Sequence, residues 1–291
     1  MSHLIAVSGA TGRIGGRVAA QLAGLDAPQR LIVRDASRAP SLPGAEVAVA
    51  SYADLDALTT ALAGVHTFFM VSAAEAVDRL AQHKQAVDAA VAAGVQRVVY
   101  LSFLGARRDA TFSLVTQHWA TEEHLKASGL RWTMLRDSMY ADFLPLMAGA
   151  DGVVRGPAGD GRVSFVAQDD IADAAVVVLT AEDSDGVTGH DEATYTLTGP
   201  EAVSLAEATE RLSRVSGREF SYAEETLEEA WESRRVYGAP DWEVEGWISS
   251  YQAIAAGELA EVTDDVSELT GRRPASLERV FLAHPELWRS S

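Results

Sequence analysis

Residues 3–24 read HLIAVSGATGRIGGRVAAQLAG, and this stretch constrains the fold more than any other. An apolar run at 4–7 leads into glycines at 9, 12 and 15, and an apolar-periodic helix follows. Strand, glycine turn and helix N-terminus together hold a pyrophosphate, because backbone N–H groups and the positive end of the helix dipole face the anion. Gly9 permits the tight turn, Gly12 lets phosphates approach, and Gly15 lets helix and strand pack closely. The spacing is G-x-x-G-x-x-G and differs from the commoner G-x-G-x-x-G fingerprint. Glycines also end strands without any ligand, so the surrounding strand and helix carry the reading.

The bulk properties narrow the function classes. A chain of 291 residues with 47% hydrophobic content accommodates one large α/β unit, or a nucleotide domain with a smaller appended region. A formal net charge of −18 argues against direct nucleic-acid contact and against an anionic membrane surface. Without cysteine there are no disulfides, no thiolate chemistry and no cysteine-based metal site, which fits a reducing compartment. No segment reads as a signal peptide, and the apolar run 171–181 is too short for a bilayer and carries Asp173. The expectation is a cytoplasmic protein, with a homodimer as one possible assembly.

Strand-like runs at 31–33, 46–49, 67–71, 97–101 and 131–135 alternate with helical patterns near 54–63, 76–93 and 114–128. Gly94 and Gly129 close the last two helices. This alternation predicts right-handed crossovers and an α/β, Rossmann-type, doubly wound parallel sheet. The stretch 149–161, with Pro157, reads as a loop. Beyond it come a helix at 169–180, a strand at 194–198, and a helix at 204–215 with Ser204 and Glu207 placed as a capping box. From about Thr226 the chain reads as helical and acidic, with Trp231, Trp242 and Trp247 interspersed. The expected division is a dinucleotide-binding domain over 1–150 and a smaller, mainly helical lobe over 151–291 that returns elements to the sheet.

The residue that ends the second strand meets the adenosine ribose in this architecture. Here the chain reads LIVRDASR, so Arg34 stands first past the apolar run, with Arg38 nearby. An arginine offers a planar donor fork to a 2′-phosphate, and Arg13 in the glycine turn can reach the same group. Asp35 would instead serve an NAD ribose if the strand ran one residue longer. The expected cofactor is NADP(H) ahead of NAD(H).

Short-chain dehydrogenases usually place Tyr-x-x-x-Lys on the helix after the fifth strand. None of the seven tyrosines here has lysine four positions on; Lys84 and Lys126 are the only lysines. The corresponding helix carries QHWATEEHLKASG, with His118, Glu122 and Lys126 along one face. One reading has His118 at the nicotinamide end with Glu122 orienting it. The other has Glu122 paired with Lys126 on a solvated face while His118 caps a core edge. H-E-x-x-H and G-x-S-x-G spacings are absent, so neither a zinc site nor a serine hydrolase is expected.

The motifs SGATGRIGG, VRD-x-S-R-A, AAGVQRVVYLSFLGA, QHWATEEHLKASGLRWTMLRDSMYADF and AQDDIADAA together resemble the NmrA-like, atypical short-chain dehydrogenase family. Within it they resemble the NADPH-dependent, flavin-free quinone oxidoreductase branch, strongly over residues 4–180 and more weakly beyond. The resemblance implies a Rossmann domain with a C-terminal lobe forming a cleft over the nicotinamide. It places the pyrophosphate on Gly9, Ala10, Thr11, Gly12, Arg13, Ile14 and Gly15, and the 2′-phosphate on Arg34. Met70, Val71 and Ser72 would lie on the adenosine and ribose side. Leu135, Arg136, Asp137 and Ser138 would cover the nicotinamide, with Asp137 where the family usually has proline. Ser51 and Tyr52 replace an aspartate often found near adenine.

The same resemblance puts Ser102 at the tip of the fifth strand, where related enzymes place a catalytic serine or threonine and where a turn or cap serine is the plainer use. His118 from the helix face and Tyr140 complete the candidate catalytic groups, with a packed face of Met139, Tyr140 and Phe143 as the alternative for Tyr140. The resemblance implies reduction of a quinone or similar conjugated carbonyl, a small-molecule acceptor, with no resident metal. A quinone product is delocalised and draws protons from solvent, so the missing Tyr/Lys pair is tolerable. The alternative within the family is an NAD(P)-binding redox sensor without turnover. Sugar-nucleotide epimerisation needs the Tyr/Lys pair and is set aside.

Overall fold

The computed structural model describes residues 3–181 and 188–289, so the outer limits 1 and 291 of the expected halves lie outside the described residues. The chain runs β1 (Ile5–Ser8), α1 (Arg13–Gly24), β2 (Gln29–Val33), β3 (Ala45–Val49), α2 (Leu55–Ala61), β4 (Thr67–Val71) and α3 (Arg79–Ala92). Next come β5 (Arg97–Phe103), α4 (Val115–Ala127), β6 (Arg131–Asp137), α5 (Leu144–Met147), β7 (Val153–Gly156), β8 (Arg162–Val163) and α6 (Gln168–Thr180). After these lie β9 (Ala193–Leu197), β10 (Val203–Ser204), α7 (Leu205–Ser216), β11 (Ser221–Glu224) and α8 (Leu227–Arg234). The chain closes with α9 (Asp241–Ala255), α10 (Asp265–Thr270), α11 (Leu277–Ala283) and α12 (Glu286–Arg289). Among the described residues, no helix is long and apolar enough to cross a membrane.

Two compact units share this chain. The first is drawn from Met1–Phe103, Gln117–Arg136 and Ile171–Tyr195. It is built on a seven-stranded sheet of order β3-β2-β1-β4-β5-β6-β9, in which the pairings from β3 through β5 are all parallel. Parallel strands covered on both faces need continuous apolar runs, and every residue of β1 is buried. The core beside them gathers Ile32, Leu58, Leu62, Phe68, Met70, Val98, Tyr100, Leu125 and Met134. Strand order reverses between β1 and β4, which is where an open α/β sheet offers a crevice to a ligand. The fold is thus the Rossmann-type, doubly wound sheet that the alternation of elements predicts. Strands β5 and β6 run two residues past their apolar runs because Ser102 and Asp137, each 1% exposed, are buried with polar partners.

The second unit is drawn from Leu104–Thr116, Asp137–Asp170 and Thr196–Ser291. It is mainly helical. Ser204 and Thr226 cap α7 and α8 through reciprocal bonds with Glu207 and Glu229. The stretch 149–161 corrects the loop expectation: it contains β7, which pairs in parallel with β11. Glycine-rich sequence hid the strand, since its partner lies far along the chain and adds no local periodicity. Gly156 stands in β7 because a Cβ there would overlap the Tyr251 ring.

Candidate active site

The site begins at the end of β1. Gly9 takes a φ of +64°, which a side chain disfavours, and the Gly12 N–H donates to the Gly9 carbonyl at 2.7 Å. A Cβ on Gly15 would overlap that carbonyl, and one on Gly12 would lie 3.1 Å from it. Helix α1 then starts at Arg13 with no side-chain cap and no acid in its first turn. Its first N–H groups have no acceptor within the helix, so they are directed at whatever occupies the turn. Ala10 and Ile14 are buried beneath the turn, while Thr11, Gly12 and Arg13 face outward. The cradle fits a pyrophosphate: the side chains that would obstruct one are missing, and the helix end is positive.

Beside the cradle lies a cavity of about 260 Å³ lined by Gly9, Arg34, Ser51, Tyr52, residues 71–76 and Gln82, among others. Arg34 is the first residue beyond β2 and is exposed. The Asp35 carboxylate turns into its own loop, accepting from Ser37 N at 2.9 Å and Ser37 Oγ at 2.7 Å. Those bonds hold its carboxyl below the usual carboxylate range. Val71 and Ser72 line the cavity, whereas the Met70 side chain belongs to the core. The Tyr52 hydroxyl sits 2.6 Å from Ser8 Oγ and 2.8 Å from the Val71 carbonyl, tying the cavity wall to β1 and β4. Burial pushes that phenol up from its ordinary value.

On helix α4, Glu122 has neither of the partners that the two sequence readings gave it. Glu122 is fully buried and accepts from Ser102 Oγ at 2.6 Å. The Arg136 guanidinium also grips it, Nε to Oε1 at 2.9 Å and Nη2 to Oε2 at 2.6 Å. Glu122 therefore orients Ser102 and Arg136, not His118, and Lys126 pairs with Glu123 instead. One helical turn separates His118 from Glu122, yet their partners differ. His118 is 6% exposed, with Nε2 2.8 Å from Arg79 Nη2 and Nδ1 3.0 Å from the Tyr100 hydroxyl. Burial, with help from the Arg79 charge and then from His83, holds its imidazole well below the ordinary histidine range and therefore neutral.

In the second unit, the Tyr140 hydroxyl donates to Asp137 Oδ2 at 2.9 Å. A cavity of about 510 Å³ there is lined by Met139, Phe143, Arg155, Tyr237, Trp247, Tyr251 and neighbouring residues. Of the late aromatics, Tyr237, Trp247 and Tyr251 line this cavity, and Tyr237 meets Trp247 edge-on.

A family model described as NAD(P)H-binding matches residues 9–182, the span that carries the cradle and the cavity. The chain belongs to the NAD(P)H-binding family. It is an NAD(P)H-dependent oxidoreductase, and it shares its fold with NmrA, whose solved structure with NAD superposes with a TM-score of 0.74 at 20% identity. Quinone oxidoreductase 2 of Escherichia coli (strain K12) is 31% identical over 94% of this chain and 96% of its own length. The NAD(P)H azoreductase of Xenophilus azovorans is 30% identical over 97% and 98% respectively. The crystal structure of the NADPH-dependent quinone oxidoreductase from Escherichia coli complexed with NADPH superposes with a TM-score of 0.87, at 30% identity, over 97% of this chain and 99% of that one. These two curated relatives, matched over nearly their whole length, are named as an oxidoreductase and a reductase, which does not favour a sensor without turnover.

Within this NAD(P)H-binding protein, the expected catalytic residues fall into separate groups. Ser102 joins Glu122 and Arg136, His118 joins Arg79 and Tyr100, and Tyr140 joins Asp137. Sequence reasoning missed Arg79, His83, Tyr100 and Thr121, which surround His118 in the interior of the first unit. The available signal was the placement of Arg79 and His83 at i and i+4 on the same helix face as Ala86, Val87 and Ala90, the face that is buried.

Proposed function

We propose that this oxidoreductase reduces a quinone or a similar conjugated carbonyl and draws on NADPH in preference to NADH. When bound, NADPH supplies the hydride that such a reduction needs. Residues 9–15 hold the pyrophosphate, and Arg34, with Arg13 across the turn, receives the 2′-phosphate. The NADPH preference is supported by Asp35, whose carboxylate is spent on Ser37 and so does not face a ribose hydroxyl. Val71 and Ser72, with the Met70 backbone, border the adenosine and ribose. Leu135, Arg136, Asp137 and Ser138 border the nicotinamide end. In functional terms residues 1–150 serve the cofactor and 151–291 the acceptor. The absence of cysteine supports a reducing compartment such as the cytoplasm.

The observation that carries the acceptor class is where the candidate proton donors point. The Ser102 hydroxyl proton goes to Glu122, the Tyr140 proton to Asp137, and the neutral His118 is engaged at both ring nitrogens. Both hydroxyl protons are thus committed to carboxylates, and His118 acts at one remove, behind Arg79. An acceptor whose reduced form is a delocalised anion suits such a site, since water delivers its protons afterwards. The test is NADPH oxidation, followed by absorbance, in the presence of simple quinones. Turnover is expected, and it should fall sharply in Gly12→Trp, whose side chain fills the phosphate approach. Tight NADPH binding with no turnover across a broad acceptor panel would defeat the proposal.

A further inference from the structure

Both backbone polar groups of Ala73 are taken by side chains of α3. The Ala73 N–H donates to His83 Nε2 at 2.9 Å, and the Ala73 carbonyl accepts from Arg79 Nε at 2.9 Å. Arg79 and His83 are buried at 5% and 0% exposure. Ala73 itself stands in residues 71–76, which border the cavity of about 260 Å³ and leave regular structure after Val71. A segment without helix or strand bonds has no ladder of its own to hold its shape. Here two side chains supply the bonds at one residue.

Helix α4 and strand β5 in turn hold those two side chains. His83 accepts at Nε2, so in the neutral ring Nδ1 carries the proton and donates to Thr121 Oγ1 at 3.0 Å. Thr121 passes its own proton to the Gln117 carbonyl at 2.8 Å. A guanidinium only donates, so Arg79 Nη2 donates to His118 Nε2, and His118 Nδ1–H is left to donate to the Tyr100 hydroxyl. Each partner thus sets the tautomer of the histidine it meets.

We propose that Arg79 and His83, backed by His118 and Thr121, clamp residues 71–76 in the shape that receives the adenosine side of NADPH. His83 is then a positioning residue for the cofactor, acting through Ala73 and touching no reacting atom. The inference rests on reading this cavity as the cofactor's.

The experiment compares wild type, His83→Leu and His83→Gln by NADPH fluorescence titration and steady-state kinetics. Leucine removes the acceptor at Nε2, whereas the glutamine Oε1 reaches the same place and can accept from Ala73. His83→Leu should weaken NADPH binding and raise its KM about tenfold, the scale of one lost buried bond, with kcat moved less than about twofold. His83→Gln should recover most of that loss. Thr121→Val, which strips the Nδ1–H partner but keeps both side-chain bonds to Ala73, should raise the NADPH Kd by about threefold and serves if His83→Leu does not fold, an unchanged Kd then counting against the clamp. An unchanged NADPH Kd in a less stable His83→Leu protein would overturn the clamp and leave a core histidine. So would a His83→Gln protein as weak as His83→Leu. A wild-type chain that fails to bind NADPH would instead overturn the cofactor reading beneath it.

Discussion

Ser102 Oγ donates to Glu122 Oε1 at 2.6 Å, inside the first unit, while Arg136 closes on the same carboxylate through both of its oxygens. Glu122 is fully buried, so its charge is stable there only because Arg136 matches it and Ser102 completes its hydrogen bonding. The serine at the tip of β5 is therefore fixed in direction by a residue on α4.

Stability and activity should separate along this relationship. Glu122→Ala leaves Arg136 beside a cavity and should cost about 3–5 kcal/mol, on the scale for breaking a buried pair. Ser102→Ala removes one bond to a charged acceptor and should cost about 1.5–3 kcal/mol. Urea denaturation of both single variants and the double variant gives the coupling. Ser102→Ala should also retain quinone turnover within about tenfold of wild type, because no proton is required from it. A loss of several powers of ten would make Ser102 an obligatory donor.

Arg34→Ala should weaken NADPH by about tenfold or more while leaving NADH within about twofold, since only NADPH carries the 2′-phosphate that a guanidinium recognises. Isothermal titration with each dinucleotide reads the difference. Equal losses would remove the 2′-phosphate from Arg34.

Gly15→Ala places a methyl group against the Gly9 carbonyl oxygen, a backbone neighbour that cannot swing aside. The expected cost is about 1–3 kcal/mol, with NADPH binding lost before the fold is. Gly24→Ala adds its methyl to open space at the other end of α1 and should leave binding unchanged. Thermal melts with and without NADPH compare the two. Similar behaviour of both variants would deny the cradle any special role.

The buried histidines make stability depend on pH. Burial, then the Arg79 charge, brings His83 down to about 3, and burial likewise holds His118 well below its ordinary value. Unfolded histidine titrates near 6.5, so below that pH the unfolded chain binds protons that the native state refuses. Stability should therefore fall as pH drops from about 6.5 towards 3, and these groups contribute no pH dependence above about 7. Each histidine adds a slope approaching about 1.4 kcal/mol per pH unit. His190, also lowered by partial burial, works in the same direction, and His284, raised by Asp169 and Glu286, works against it. Urea midpoints from pH 6 down to 4.5 should fall less steeply in His83→Gln than in wild type. Parallel lines would mean that His83 is protonated in the native protein.

Much of the cofactor end is legible in the sequence because it is local. Gly9, Gly12 and Gly15 act within one turn, Arg34 follows directly on the apolar run of β2, and Ser204 with Glu207 makes a capping box within a helical turn. The pairing of β7 with β11 was not legible, since Val153 meets Ser221 across a long intervening stretch. Asp35 illustrates a subtler limit. Its position allowed service to a ribose, and only its loop geometry turned the carboxylate onto Ser37.

By itself the sequence determined a doubly wound sheet with a glycine turn and an uncapped helix start after its first strand, because spacing and periodicity act between neighbours along the chain. Tertiary structure alone decided which partner each buried polar side chain on α4 would take. Helical spacing set His118 and Glu122 on one face, but Arg79, Tyr100, Ser102 and Arg136 arrive from α3, β5 and β6. Burying a charge or an imidazole is tolerable only when a matching group is brought to it, and packing of the sheet against its helices brings those groups.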